Sequence, residues 1–248
     1  MNSDTSYINN TITRSNLPIN TKGKDFIVGD IHGEFQLFMK ALKKLKFEKK
    51  TDRLICTGDL IDRGADSPSM LELLNEDYFF STLGNHEDML LKYGASKTKR
   101  EHYWYPNGGQ WWDEVETSVQ NYFVELIKYK MPILMTLQCN NFQIGIVHAD
   151  FPLNLSWNFT DDEISKRNIT LRDFIWKRNR IEKNNSDFIE GVKYVFIGHT
   201  PVEHITKKNN CIFIDTGCGH YVSNRIRNPS LTICEIDNDK FIYHKFKK

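Results

Sequence analysis

Three short segments hold the side chains able to do chemistry: Gly29-Asp30-Ile31-His32-Gly33-Glu34, Gly58-Asp59-Leu60-Ile61-Asp62-Arg63-Gly64 and Gly84-Asn85-His86-Glu87. Each follows an apolar run, and each sets a carboxylate or an amide directly after a glycine. Asp30 and His32 stand two apart on one loop, so both can face a single ion. Asp59, Asn85, His148 and His199 complete a candidate ligand set, each again beside the end of an apolar run. Mixed carboxylate, imidazole and amide donors suit divalent transition metals, whereas an all-oxygen set suits magnesium or calcium better.

Taken singly, these residues have plainer explanations. A lone Gly–Asp after a strand is usually just a turn. His148 and His199 by themselves would more often be hydrogen-bonded interior histidines, and Arg63 by itself a surface charge. Their accumulation, in order and each at a strand end, is what argues for one site.

Strands must hold such a set in place. Residues 25–29, 53–57 and 78–83 are apolar runs that stop at glycine, and read as buried strands. Phe35, Leu37, Phe38, Leu42 and Leu45 recur at helical spacing, which predicts an amphipathic helix over 34–46, and a short helix is expected over 70–75. This alternation predicts an α/β layered fold with parallel pairing, and in such sheets ligands gather outside the carboxyl ends of strands. Residues 107–130 read as helix, and Pro132 interrupts the chain just beyond it. Strands over 142–147, 194–197, 211–214, 231–236 and 240–246 predict a second sheet, and Asn184-Asn185-Ser186 reads as a loop. The polar stretch 1–22 reads as a poorly structured lead-in, and 23–248 as a single domain.

With Lys and Arg numbering 33 against 32 Asp and Glu, the net charge of +1 offers no global field for nucleic acid or an anionic membrane. The five cysteines form no CxxC pair and leave an odd count, which fits free thiols in a reducing compartment better than a disulfide framework. No basic start followed by an apolar stretch opens the chain, and no apolar run approaches the roughly 20 residues of a membrane span. The expectation is a cytoplasmic protein without membrane or general nucleic-acid partners.

With these residues in view, the chain resembles the PPP phosphoesterases of the calcineurin-like metallophosphatase superfamily. GDIHG, GDLIDRG and GNHE match its signature strings nearly letter for letter. Likeness to the bacterial and phage serine/threonine protein phosphatases continues through Asn107-Gly108-Gly109, His148-Ala149-Asp150-Phe151-Pro152, Ile175-Trp176-Lys177-Arg178, Gly198-His199-Thr200-Pro201 and Asp215-Thr216-Gly217. It covers roughly residues 25–235.

The resemblance implies a four-layer α/β/β/α sandwich with two mixed β-sheets and two divalent metal ions, manganese foremost, with iron or zinc as alternatives. It implies that Asp30, His32 and His199 hold one metal, that Asn85 and His148 hold the other, and that Asp59 bridges them. His86 matches the leaving-group acid, Asp62 its orienting carboxylate, and Arg63 and Arg178 the arginines that grip phosphoryl oxygens. Two cations about 4 Å apart make a nucleophile of water at neutral pH, and planar guanidinium donors suit phosphate geometry. The implied activity is a phosphomonoesterase of the serine/threonine protein phosphatase type, acting on phosphoproteins or phosphopeptides and on small aryl phosphates.

One position departs from the pattern. Many PPP members carry arginine just before GNHE, where this chain has Thr82-Leu83. A leucine there also occurs in dinucleoside tetraphosphate hydrolases, so a hydrolase of those nucleotides or of nucleotide caps is the alternative. Asp62 and Glu87 favour the protein phosphatase branch. A non-catalytic protein-binding scaffold ranks below both, because every expected ligand is present. The aromatic stretch 102–112 reads either as a groove wall beside the metals or, more simply, as a satellite core under a loop.

Overall fold

The computed structural model describes residues 12–183, 187–237 and 240–248. The loop expected at Asn184-Asn185-Ser186 and residues 1–11 of the expected lead-in lie outside them. Strands β1 (Arg14–Leu17), β2 (Asp25–Val28), β3 (Arg53–Cys56), β4 (Phe79–Ser81), β5 (Leu134–Gln138) and β6 (Gln143–Val147) come from the first part of the chain. They are followed by β7 (Tyr194–Ile197), β8 (Thr206–Lys208), β9 (Cys211–Phe213), β10 (Leu231–Asp237) and β11 (Lys240–Phe246). One sheet runs β1-β5-β6-β7-β9-β8, the other β11-β10-β2-β3-β4. Both are mixed: β2, β3 and β4 are parallel neighbours, as are β6, β7 and β9, while β10 and β5 pair antiparallel with β2 and β6.

Alternation along the strands sorts the side chains into layers. Ile27 and Ile55 face inward to a cluster shared with Leu137, Ile144, Ile146 and Phe196 of the other sheet. Their neighbours Phe26, Val28 and Leu54 point the other way. There they meet Phe38, Ala41 and Leu42 of α1 (Phe35–Lys44) and Met70 of α2 (Ser67–Glu72). The opposite flank is covered by short helices, Asp161–Lys166, Leu171–Ile175 and Asn179–Glu182, and by Trp157, whose ring lies over Gly145 of β6. The result is the α/β fold of two mixed sheets with helices outside.

Three differences from expectation have local causes. Residues 14–17 are a strand, paired parallel with β5, with Leu17 buried between the sheets. The lead-in therefore does not extend to residue 22; an edge strand needs apolar residues on one face only, which a polar composition conceals. The helix expected over 107–130 is Thr117–Lys130. Before it, 97–114 forms broken helical turns, because Gly108 takes φ +104° and Gly109 packs against the Trp104 ring. Lastly, β5 and β8 are strands where the sequence pattern predicts none, and β10 and β11, expected in the second sheet, pair instead beside β2 in the first.

Leu137 is fully buried between the two sheets. Leu137→Ala is expected to lower unfolding free energy by about 2–5 kcal/mol, against less than about 0.5 for an exposed Lys43→Ala control. Urea denaturation curves of the two variants check this, and a Leu137→Ala cost below about 1 kcal/mol would contradict the assignment of that layer.

Candidate functional site

Two parallel trios of strands, β2-β3-β4 and β6-β7-β9, send the loops after their carboxyl ends to one place. Asp30 and His32 follow β2, Asp59 follows β3, Asn85 and His86 follow β4, His148 follows β6 and His199 follows β7. All seven side chains are buried.

The Asp59 carboxylate lies at the middle. Its Oδ2 is 3.8 Å from His32 Nε2 and from His86 Nε2, and its Oδ1 is 3.3 Å from His148 Nε2. Ligating atoms of His32, Asp59 and His86 lie within 4.8 Å of one another, as do those of Asp59, His148 and His199. Asn85 Oδ1 is 2.9 Å from His148 Nε2. Burial pushes the Asp59 carboxyl upward, but the imidazoles of His148, His86 and His32 outweigh it and hold the group well below the usual carboxylate range.

The resemblance grouped His199 with Asp30 and His32, and here the structure differs. The His199 ring packs beside that of His148, with centroids 5.0 Å apart. Only the His199 backbone reaches Asp30, its N–H donating to both carboxylate oxygens at 3.1 and 2.9 Å. Topology is the reason: β7, which precedes His199, is the sheet neighbour of β6, which precedes His148.

The donor set fits divalent cations. Backbone carbonyls of Ile61 and Thr57 accept from Nδ1 of His32 and His148 at 3.0 and 2.8 Å, which turns each Nε2 toward the cluster. His199 Nε2 is buried with no hydrogen-bond partner among the described residues, and so is Asp215 Oδ2. Carboxylates crowd together: burial, then Asp215 and Asp59, raise Asp30, and burial followed by Asp59 among its causes lifts Asp215 to about 6. The unpaired His199 Nε2 and Asp215 Oδ2, amid crowded buried carboxylates, are what a cation would satisfy.

The backbone is strained to make this cluster. Nine described non-glycine residues have positive φ, and His32, Asp59, Asp62, Arg63 and His199 are five of them. Such conformations cost of order 1–3 kcal/mol each and persist only where surroundings dictate them. Glu87 supplies one such constraint: its carboxylate accepts the N–H groups of Gly84, Asp59, Leu60 and Ile61 at 3.0, 3.1, 2.8 and 3.4 Å. Burial, with the Asp59 charge beside it, raises Glu87 to about 7. Gly198 supplies another, since a Cβ there would stand 2.1 Å from Asp30 Oδ1 and 2.5 Å from Thr57 Oγ1.

Beside the cluster, His86 Nδ1 donates to Asp62 Oδ2 at 2.5 Å. Trp104 Nε1 and Trp111 Nε1 donate to the two oxygens of the same carboxylate, both at 2.7 Å. Composition had favoured the 102–112 stretch as a satellite core. Trp104 and Trp112 are indeed buried, yet two of the three indoles there also fasten Asp62. A buried tryptophan needs a partner for its N–H, which is the one signal that pointed this way.

Arg63 Nη1 lies 2.5 Å from His32 Nε2 and 2.7 Å from His220 Nε2, and Nη2 is 3.2 Å from His86 Nε2. Arg178 is half-buried within Coulombic reach of Asp59 and Asp215. The structure thus brings all ten expected residues to one site, together with Asp215 and His220, for which sequence reasoning had no role, and Glu87, Trp104 and Trp111, whose contacts with the Asp59–Asp62 loop it did not foresee.

Mixed sheets whose strand ends enclose buried carboxylates and imidazoles define a metallohydrolase. The chain belongs to the calcineurin-like phosphoesterase family, whose model matches residues 26–228. It is 34% identical over 197 residues to serine/threonine-protein phosphatase 2 of Escherichia coli (strain K12), covering 77% of this chain and 86% of the relative. To serine/threonine-protein phosphatase 1 of Salmonella typhimurium it is 33% identical over 195 residues, covering 77% and 85%. An asymmetrical bis(5'-nucleosyl)-tetraphosphatase of Oceanobacillus iheyensis is more distant, at 26% over 212 residues, covering 77% and 83%. A serine/threonine phosphatase structure from Saccharomyces cerevisiae shares the fold, with TM-score 0.61 at 16% identity over 95% of this chain and 84% of that one. Among the described residues, no helix is long and apolar enough to cross a membrane.

Gly198→Ala is expected to weaken divalent-metal binding by about 10–100-fold by displacing Asp30, with the far-UV circular dichroism unchanged. Calorimetric titration of metal-free protein measures it; unaltered affinity would remove Asp30 from the ligand set.

Proposed function

We propose that the chain is a serine/threonine-type protein phosphatase that hydrolyses phosphomonoesters directly, without a phosphoenzyme. His32 and Asp30 would hold one divalent ion, and Asn85, His148 and His199 the other, with Asp59 between them. The split of the Asp59 oxygens between His32 and His148 supports that bridging role. When bound, the ions supply Lewis acidity that makes water nucleophilic at neutral pH and neutralises phosphoryl charge. Manganese is the proposed metal, with iron or zinc as alternatives, because imidazole and carboxylate donors accept all three.

The single observation that carries the reading is the His86–Asp62 pair set against Asp59. A serine or threonine alkoxide is a poor leaving group and needs a proton as it departs. With Nδ1 committed to Asp62, His86 presents Nε2 to the cluster, 3.8 Å from Asp59 Oδ2, where it can deliver that proton. Trp104 and Trp111 hold the Asp62 carboxylate from its other sides, so the imidazole cannot swing away. Arg63 and Arg178 would bind the non-bridging phosphoryl oxygens and orient them. Arg63 now faces the Nε2 atoms of His32 and His86, and would turn to the phosphoryl group when substrate enters. Phosphoproteins or phosphopeptides are the proposed substrates, and small aryl phosphates would be hydrolysed as well. A cytoplasmic setting is proposed from the five free cysteines.

A second reading, hydrolysis of dinucleoside tetraphosphates or nucleotide caps, is favoured by Leu83 and by the relative of Oceanobacillus iheyensis. Comparing kcat/KM on diadenosine tetraphosphate and on a phosphothreonine peptide decides between them, and the peptide is expected to be preferred. Preference for the nucleotide would reverse the assignment.

His86→Asn is expected to lower kcat on a phosphopeptide by about 10²–10⁴-fold, but to affect p-nitrophenyl phosphate much less, because that leaving group needs no proton. Equal losses on both would remove His86 from the acid role. Asp59→Asn is expected to reduce the metal bound per chain, and two full equivalents by elemental analysis would contradict the bridge.

A further inference from the structure

Arg63 faces two ways. One side meets the imidazoles of the centre, and the other lines a cavity of about 440 Å³ bounded by His220, Tyr221, Val222, Arg227 and Lys247 among others. That volume is in the range of ligand pockets. Most of the wall comes from the segment 218–230, which is held at both ends. Near its start, Gly219 takes φ +74° with its Cα against His32, where a Cβ would fall 2.5 Å from the His32 Cβ. Further on, Ser223 N–H donates to the Ile226 carbonyl at 2.9 Å, and Ile226 N–H donates to Ser223 Oγ at 3.2 Å. Ile226 is buried against Gly217. Between these anchors Tyr221 and Val222 stand 93% and 73% exposed, which is unusual for such side chains.

The charge of the wall is one-sided. Arg63, Arg227, Lys247 and Lys248 line it against a single carboxylate, Glu34, which Lys248 pairs at 2.5 Å. Arg227 is placed through its backbone, the N–H donating to Glu203 Oε2 at 2.6 Å, and its side chain forms no salt bridge among the described residues. Lys247 Nζ donates to the neutral Asn228 Oδ1 at 3.1 Å. Arg225 on the same segment lies within Coulombic reach of Arg178 and His220. A cationic hollow therefore continues from the arginine expected to grip the phosphoryl group, with apolar side chains exposed along its rim.

We propose that this cavity reads the substrate next to the phosphorylated residue and takes an acidic side chain flanking phosphoserine or phosphothreonine. The inference deepens the protein phosphatase reading and rests on it. Arg227 and Lys247 would attract the flanking carboxylate, while Tyr221 and Val222 cover the peptide beside it. Both charges are solvent-accessible, so the discrimination is modest and sensitive to salt.

The test uses three phosphothreonine peptides that differ only in carrying Glu, Gln or Lys on both sides of the phosphorylated residue. Wild-type enzyme with manganese is expected to rank them Glu, Gln, Lys in kcat/KM, with about 10-fold between the extremes, carried mainly by KM and shrinking at higher salt. The Arg227→Gln/Lys247→Gln variant is expected to compress that ratio to about 2-fold, with p-nitrophenyl phosphate turnover unchanged. Equal use of the three peptides by the wild type, or an uncompressed ratio in the variant, overturns the inference and leaves the phosphatase reading standing. Turnover of diadenosine tetraphosphate with no turnover of any peptide overturns both.

Discussion

A buried carboxylate between imidazoles organises this protein. Asp59 has left water, takes φ +52°, and lies within 3.8 Å of Nε2 atoms contributed after three different strands. Leaving water costs an ionised carboxylate far more than any one contact returns, so a set of compensating groups must be delivered together. Histidines on both sides, the His86 N–H in the first turn of the helix Asn85–Tyr93 and, in the family's chemistry, divalent cations form that set. The positions of β2, β3, β4, β6 and β7 are what make it possible.

Compensation extends outward in a chain. Glu87 reaches from the helix after β4 to four backbone N–H groups and binds the loop after β3 to it. Asp62, further along that loop, is fastened by one imidazole and two indoles. The 97–114 segment, which looks like an appendage to the sheets, thereby reaches His86 through one carboxylate. Side chains of that segment thus help set the angle of the His86 ring against the cluster.

The opposite rim is built differently. Where the tryptophans give a hydrogen-bonded wall, the 218–230 segment gives an exposed and cationic one, packed at Gly219 and Ile226 and tied through Arg227 and Asn228 to Glu203. A rigid side would suit the proton delivery proposed for His86, and an open, charged side the proposed selection among peptides. The same centre can therefore keep its chemistry while its preferences change with a few surface residues.

Much of the site could be read from residues alone. Asp30 with His32, Asp59 with Asp62 and Arg63, and Asn85 with His86 lie so close along the chain that a strand end suffices to group them. The apolar runs of β2 and β3, each stopping at a glycine, and the spacing of Phe38 and Leu42 likewise announced the sheets and their covering helix. Spacing could not convey which distant groups meet. His199 joined His148 because β6 and β7 are sheet neighbours, and Trp104 and Trp111 found Asp62 across more than forty residues. Local sequence encodes the period of an element and the chemistry at its end. Partners brought together by sheet order and loop packing are properties of the folded chain, because only burial forces each polar group to find one.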